Sequence, residues 1–370
     1  MPLKKSCNLP RKTFFYKQKK ENLTSIDHKK SSSSSLIALK KIGIYWGYIN
    51  LSLSIPFAMP KAMAIESSLS HLDNQWYTGS LLSPSGAATQ AGGLFLEPYL
   101  VYNQPIGRFN ASGENTPIHP RYKSLTNYTL VKYAITDNLS VQALPTISHT
   151  WVKGGRNGGL QWNDLPIEFQ YRILDEDHTE NYAPYTRPSL STFLGIIAPS
   201  GNYNNLSRST AGVGTGAWTL RFGLQSQSAW QLPDERPLRL RLWAVARKPL
   251  NSVDLHGVTS YGTNEGYRGN VYPGMFGNGG LSLEYGIDQS WVLAFDAEFT
   301  WSKGNRQTGG YYNEPITRTI TTASHSWILA PAVEYNWTPN YGIIAGAAIT
   351  VDGHNTNQTV QPQIAFNAAF

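Results

Sequence analysis

Ser148 and His149 stand side by side, and a hydroxyl next to an imidazole is the first pairing to weigh for nucleophilic catalysis. Neighbours on a strand face opposite ways, so this pair cannot pass a proton if the stretch is extended. His256, His325 and His354 fall in loops or near strand ends, without a His-x-x-x-His spacing or a paired carboxylate. Gly212-Val213-Gly214-Thr215-Gly216 is glycine-rich, but it leads into a strand pattern, and a phosphate cradle needs a helix N-terminus. The sole cysteine is Cys7, so no thiol nucleophile, disulfide or cysteine metal site is expected after it. Neither an enzyme nor a cofactor is expected.

The chemistry that remains is charge at alternate positions. Arg239 and Arg241 alternate with Leu238, Leu240 and Leu242, and Glu168 and Arg172 alternate with Ile167, Phe169, Tyr171 and Ile173. Glu97, Lys132, Arg221, Glu284, Asp296, Glu298 and Glu334 sit in the same kind of pattern. On a strand this puts the charges on one face and the apolar residues on the other. Two readings follow for the charged face. Paired Arg and carboxylates fill the interior of a narrow barrel, or a charged ladder sets selectivity. Arg221, Arg239 and Arg241 lie on neighbouring strands and form the best selectivity cluster. Phe95, Tyr99, Tyr128 and Trp243 share their face, either as packing rings or as a path for an apolar solute.

Strands must position these residues. Two-residue alternation runs through residues 94–102, 125–135, 139–151, 165–173, 192–197, 218–225, 238–244, 281–285, 291–301, 327–335, 341–351 and 361–370. Twelve is an even number, as in single-chain bacterial barrels. The last stretch puts Ile364, Phe366, Ala368 and Phe370 opposite Gln363, Ala365, Asn367 and Ala369. An exposed greasy edge there would aggregate in water, but it makes sense as the seam of a closed barrel in lipid. A terminal strand ending in Phe370 also resembles the signal read by the machinery that inserts outer-membrane barrels.

Connection lengths test the idea independently. Residues 136–138, 231–237, 287–289 and 338–340 are short and follow even strands; residues 103–121, 200–214, 249–277 and 303–319 are long, polar and follow odd ones. That parity puts both termini in the periplasm and the long loops outside. Residues 174–188 break the rule, being long on the periplasmic side. Tyr133, Tyr285 and Tyr335 each end a strand before a polar turn, as a headgroup-level girdle would.

The whole chain is formally +7, but 19 of its 31 basic and 22 of its 24 acidic residues lie beyond residue 64, a net of −3. The excess positive charge therefore belongs to the leader and argues against nucleic acid. Lys40 and Lys41, the mostly apolar residues 42–58 and Ala62-Met63-Ala64 read as a secretory signal cleaved after Ala64. Residues 65–92 are expected as a short periplasmic pre-barrel segment, too short for a plug domain, and residues 93–370 as the barrel.

Four stretches carry a family resemblance. They are Glu97-Pro98-Tyr99; Asp164-Leu165-Pro166-Ile167 with Tyr171-Arg172; Pro199-Ser200-Gly201-Asn202-Tyr203 with Gly212 to Gly216; and the turn unit from Tyr285 to Gln289. Over roughly residues 76–370 the chain resembles the outer-membrane proteins grouped as the MetA-pathway of phenol degradation. The resemblance implies a barrel distantly similar to long-chain fatty-acid transporters, passing small, often hydrophobic or aromatic molecules, with no catalytic residues. Outer-membrane lipid and a small-molecule solute are the partners expected. A packed structural or adhesive barrel, an outer-membrane lipid hydrolase and a secreted β-sandwich are the alternatives.

Overall fold

The computed structural model describes residue 72 and residues 74–370, apart from 87–89, 119–121, 156 and 179–183. These all belong to the unit Ser67–Phe370. Cys7 and the expected cleavage after Ala64 lie outside the described residues.

Twelve antiparallel strands form the wall. They are β1 (Leu94–Phe109), β2 (Tyr122–Ala134), β3 (Leu139–Ala143 continuing as Thr146–Val152), β4 (Leu160–Trp162 continuing as Leu165–Leu174), β5 (Ser189–Ala198), β6 (Thr219–Gln231), β7 (Pro237–Pro249), β8 (Phe276–Gly286), β9 (Trp291–Ser302), β10 (Ser324–Thr338), β11 (Tyr341–His354) and β12 (Thr356–Ala369). Each pairs with the next, and β1 pairs with both β2 and β12, closing the barrel. At the seam Leu94 N–H donates to Phe370 O at 3.1 Å and Phe370 N–H donates to Leu94 O at 2.8 Å. Closure leaves no unpaired edge, which lipid would not tolerate.

The faces fall as the alternation predicts. Phe169, Leu194, Leu224, Leu242, Leu293, Phe295, Ile364 and Phe366 are exposed on the outside, while Lys132, Glu168, Gln170, Glu284 and Glu334 are fully buried inside. A soluble β-sandwich would bury the first set and expose the second. The inversion identifies hydrocarbon as the medium outside the wall. Rings gather at the short-turn end, with Trp291 4.7 Å from Tyr335 and Tyr341 6.1 Å from Phe370. They make the expected girdle.

The structure adds three things. First, two of the long connections are not plain loops: Val253–His256, Arg268–Tyr272, Arg306–Gly310 and Thr317–Ile320 pair as a separate four-stranded sheet at the long-loop end. Val253, Leu255 and Val271 bury a small apolar cluster there with Ala217 and Tyr267. Second, the long connection between β4 and β5 has a job. β6 runs past the start of β5, and Gln231 N–H donates to Pro184 O at 2.7 Å while Ala229 N–H donates to Thr186 Oγ1 at 2.8 Å. The connection thus continues the wall where β5 has not begun.

The third addition corrects the placement of the pre-barrel segment. Residues 75–86 were expected on the periplasmic side, but they run inside the barrel. Thr78 N–H donates to Glu334 Oε2 at 2.7 Å on β10, Leu82 N–H to Asp296 Oδ2 at 2.9 Å on β9, and Gln170 Nε2 of β4 to Ser85 O at 3.2 Å. The segment needs no fold of its own, because the wall supplies its hydrogen-bond partners.

Candidate functional site

The inward charges sort into two groups. One group is paired within the wall. Arg239 holds Glu284 with both Nε (2.5 Å) and Nη2 (2.8 Å), and Arg241 Nε lies 3.2 Å from the same carboxylate. Arg221 pairs with Glu168, which Gln142 also contacts. Forked Arg–carboxylate pairs fix geometry as well as charge. Arg239 and Arg241 sit together on β7, but Arg221 of β6 stands opposite Arg247, six residues further along the ladder, so the three do not form the cluster expected from the sequence, and carboxylates already offset much of their charge. Arg172 stands apart at the periplasmic end, donating to Asp137 O at 2.6 Å and pairing with Asp175.

The second group receives the inserted segment. Glu334 Oε2 accepts Thr78 N–H and, at 3.2 Å, Gly79 N–H; Asp296 accepts Leu82 N–H. Thr78 Oγ1 lies 2.9 Å from Asn336 Oδ1, and Asn367 Nδ2 donates to Thr78 O at 3.4 Å. Leu81 packs among Ala330, Ile344 and Ala348. On the opposite wall Lys132 Nζ donates to Ser85 Oγ at 2.8 Å and to Gly86 O, and Arg239 stacks 3.6 Å from the Tyr77 ring centre. The backbone amides thus lie against the acidic wall of β9 and β10.

A cavity of about 710 Å³ remains beside the segment. Lys132, Arg221, Arg239, Arg241 and Arg247 line it, with Glu97 as the one carboxylate among its lining residues. The segment covers Asp296 and Glu334, so the charged side chains lining the remaining space are mostly cationic, three of them paired with Glu168 or Glu284 behind. A second cavity of about 310 Å³ near the periplasmic mouth is lined by Arg172, Asp175 and Glu176, and shares Gly86 and Gln227 with the first. Glu298 does not line either space; it accepts from Asn278 Nδ2 at 2.6 Å, whose Oδ1 takes Arg247 Nη1 at 2.7 Å. Arg247 went unnoticed in the sequence, although it continues the every-second-residue series 239, 241, 243, 245.

The aromatic candidates part company. Tyr99 and Tyr128 stack at 4.5 Å and line the main cavity with Phe95, and Tyr99 Oη donates to Glu97 at 3.0 Å. Trp243 instead packs with Phe193 and Val245. Ser148 faces inward and bonds Thr126 at 3.0 Å, whereas His149 packs 5.4 Å from Trp151 on the outward face. They make no catalytic pair. The glycine-rich run serves the fold: Asp164 accepts Gly201 N–H at 2.9 Å, Thr215 N–H at 2.8 Å and Thr215 Oγ1 at 2.7 Å. Any Cβ at Gly201 or Gly214 would meet the other's backbone. The second and third resemblance stretches are thus one stitched corner at the outer end of β4.

A closed 12-stranded antiparallel barrel with an apolar exterior and a charged interior defines an outer-membrane protein of Gram-negative bacteria. Among solved structures, an outer membrane channel from Pseudomonas putida F1 matches with a TM-score of 0.57 at 15% identity, over 78% of this chain and 100% of that one. The translocator domain of autotransporter NalP from Neisseria meningitidis gives 0.35 at 12% identity, over 76% of this chain and 90% of that one. The β domain of the Bordetella autotransporter BrkA gives 0.40 at 10%, over 76% and 100%. At such identity the first likeness is one of fold, and the other two carry no argument. No protein-family model matches the chain, and no curated protein does.

Proposed function

We propose that this chain is a passive outer-membrane channel for small molecules, with a path that runs beside the inserted segment and favours anions. The observation that carries this reading is the cavity of about 710 Å³ with five cationic side chains and one carboxylate on its lining. A barrel packed solely for stability has no reason to leave such a space. Charges along a narrow path act on ions through a low-dielectric wall and set selectivity. The stacked Tyr99 and Tyr128 offer a flat apolar surface on the same path, which fits the small hydrophobic or aromatic molecules implied by the family resemblance. Glu97, Lys132, Arg221, Arg239, Arg241 and Arg247 line the path in this reading. Glu168, Asp296, Glu298 and Glu334 hold its walls and the segment, and Arg172 stands at its mouth. No nucleophile and base meet at the site, so no reaction is proposed.

The test is single-channel conductance of the refolded chain in a planar bilayer, with a salt gradient to read ion preference. Arg247→Gln is the variant of choice, because its direct hydrogen-bond partner is the neutral Asn278, which also holds Glu298. Stable steps with anion preference, reduced in the variant, are expected. A barrel that inserts and never conducts would leave the packed structural barrel as the reading.

A further inference from the structure

Two lysines stand at the outer rim of β2 and β3, Lys123 on the lipid side of its strand and Lys153 in the turn that follows β3. Tyr102, Lys123, His149 and Trp151 all point outward there. Lys123 Nζ lies 5.9 Å from the Tyr102 ring centre, and Tyr102 and Trp151 are 6.1 Å apart. Lys123 pairs across the ladder with Trp151. Lys153, two residues further on, is exposed in the turn that follows β3. Among the described residues neither lysine has an ion-pair partner. The outward positions of β1–β4 hold no Asp or Glu.

Height in the membrane decides what such a pair meets. Lys123 and the periplasmic girdle residue Tyr133 are ten positions apart on β2. Ten residues of strand span about 34 Å. A tilt of about 40° leaves roughly 26 Å along the membrane normal, which is the height of the apolar band. Lys123 therefore emerges at the outer headgroup layer, with Trp151 opposite it and Tyr102 two residues lower on the ladder. A lysine near a tryptophan recurs elsewhere on the rim: Lys303 follows Trp301 by two, and Lys248 stands opposite Leu220, two residues after Trp218. The first patch differs in carrying two lysines together. Its apolar belt continues onto Trp162 and Leu160 of β4, both exposed.

We infer that the outward patch of Lys123 and Lys153 over Tyr102 and Trp151 binds the phosphate-bearing headgroup of an outer-leaflet glycolipid. The long lysine stems lie along the rings, and the ammonium groups reach the phosphate. Aromatic rings prefer the interface and seat the sugar and upper acyl chain. The absence of carboxylates nearby removes the competing partner. The patch lies on the outer surface and is independent of any path through the lumen.

The test uses the full chain extracted from the outer membrane, stripped of lipid in detergent and put into nanodiscs. Binding of bisphosphorylated lipid A is compared with binding of the same lipid after its phosphates are removed. Lys123→Gln/Lys153→Gln is compared with wild type, and Lys303→Gln serves as a rim control. Heat-shifted gel mobility confirms that each variant is folded. The wild type is expected to favour the phosphorylated lipid, and the double variant to lose affinity by about thirty-fold at low salt. The control variant keeps most of it. Equal binding of both lipids by the wild type would overturn the inference, leaving an ordinary aromatic belt. So would an unchanged affinity in the double variant. Equal competition by inorganic phosphate would also overturn it, because the patch would then hold a free anion rather than a lipid.

Discussion

Glu334 holds the inserted segment more directly than any other side chain, through two backbone amides on one carboxylate oxygen. Hydrogen bonds to a buried charge contribute about 1.5–3 kcal/mol each. Glu334→Ala should free the N-terminal part of the segment, so conductance is expected to rise and resistance to urea to fall. Wild-type conductance in that variant would mean that the segment does not narrow the path. Arg239 makes a different point. Removing it leaves Glu284 buried with Arg241 alone, at 3.2 Å. Losing one partner of a buried pair costs about 3–5 kcal/mol, and Arg241 keeps Arg239→Ala toward the low end. A double-mutant cycle with Glu284→Ala in urea should show a loss smaller than the sum of the two single changes. At this scale the sequence was generous. Alternation put Glu168, Arg239, Glu284 and Glu334 on one face, because a strand offers each side chain two directions, though Arg247 was missed. It could not say which charge pairs with which, since that depends on neighbouring registers that one strand does not contain.

The seam between β1 and β12 joins the two ends of the wall, and Phe370 contributes both a donor and an acceptor to Leu94. Deleting Phe370 should lower the amount of folded barrel in the outer membrane, read as the fraction with heat-shifted gel mobility. An unchanged fraction would show that neither the seam bonds nor the terminal ring matters to assembly. Other elements show where periodicity loses its power. Long strands such as β9 and β10 carry enough alternations to be read directly. The four short strands of the outer sheet span four or five residues each, in glycine-rich sequence. So few alternations do not stand out from a loop. Thr186–Arg187, within the connection that prolongs the wall beside β6, is shorter still. Residues 75–86 form neither helix nor strand, so no periodic signal marks them, and their position inside the barrel follows only from partners on distant strands.

At the scale of the molecule the question is whether solute passes beside a resting segment or needs the segment to leave. The segment is tied at Thr78, Gly79, Leu82, Ser85 and Gly86 to β2, β4, β9 and β10, and Leu81 is buried among apolar side chains. Breaking several charge-assisted bonds at about 1.5–3 kcal/mol each would leave it displaced only rarely. The cavity beside it is meanwhile already present. Passage beside a fixed segment is therefore expected, and a covalent tether tests it. A Cβ placed at Gly342 of β11 would sit against Thr78 Oγ1, so Thr78→Cys with Gly342→Cys, in a Cys7→Ser background, brings two thiols within bonding reach. Oxidised and reduced barrels should conduct alike, while Glu334→Ala conducts more. Conductance lost on oxidation and restored by reductant would show instead that the segment must move, and that the space beside it is a resting pocket rather than the path.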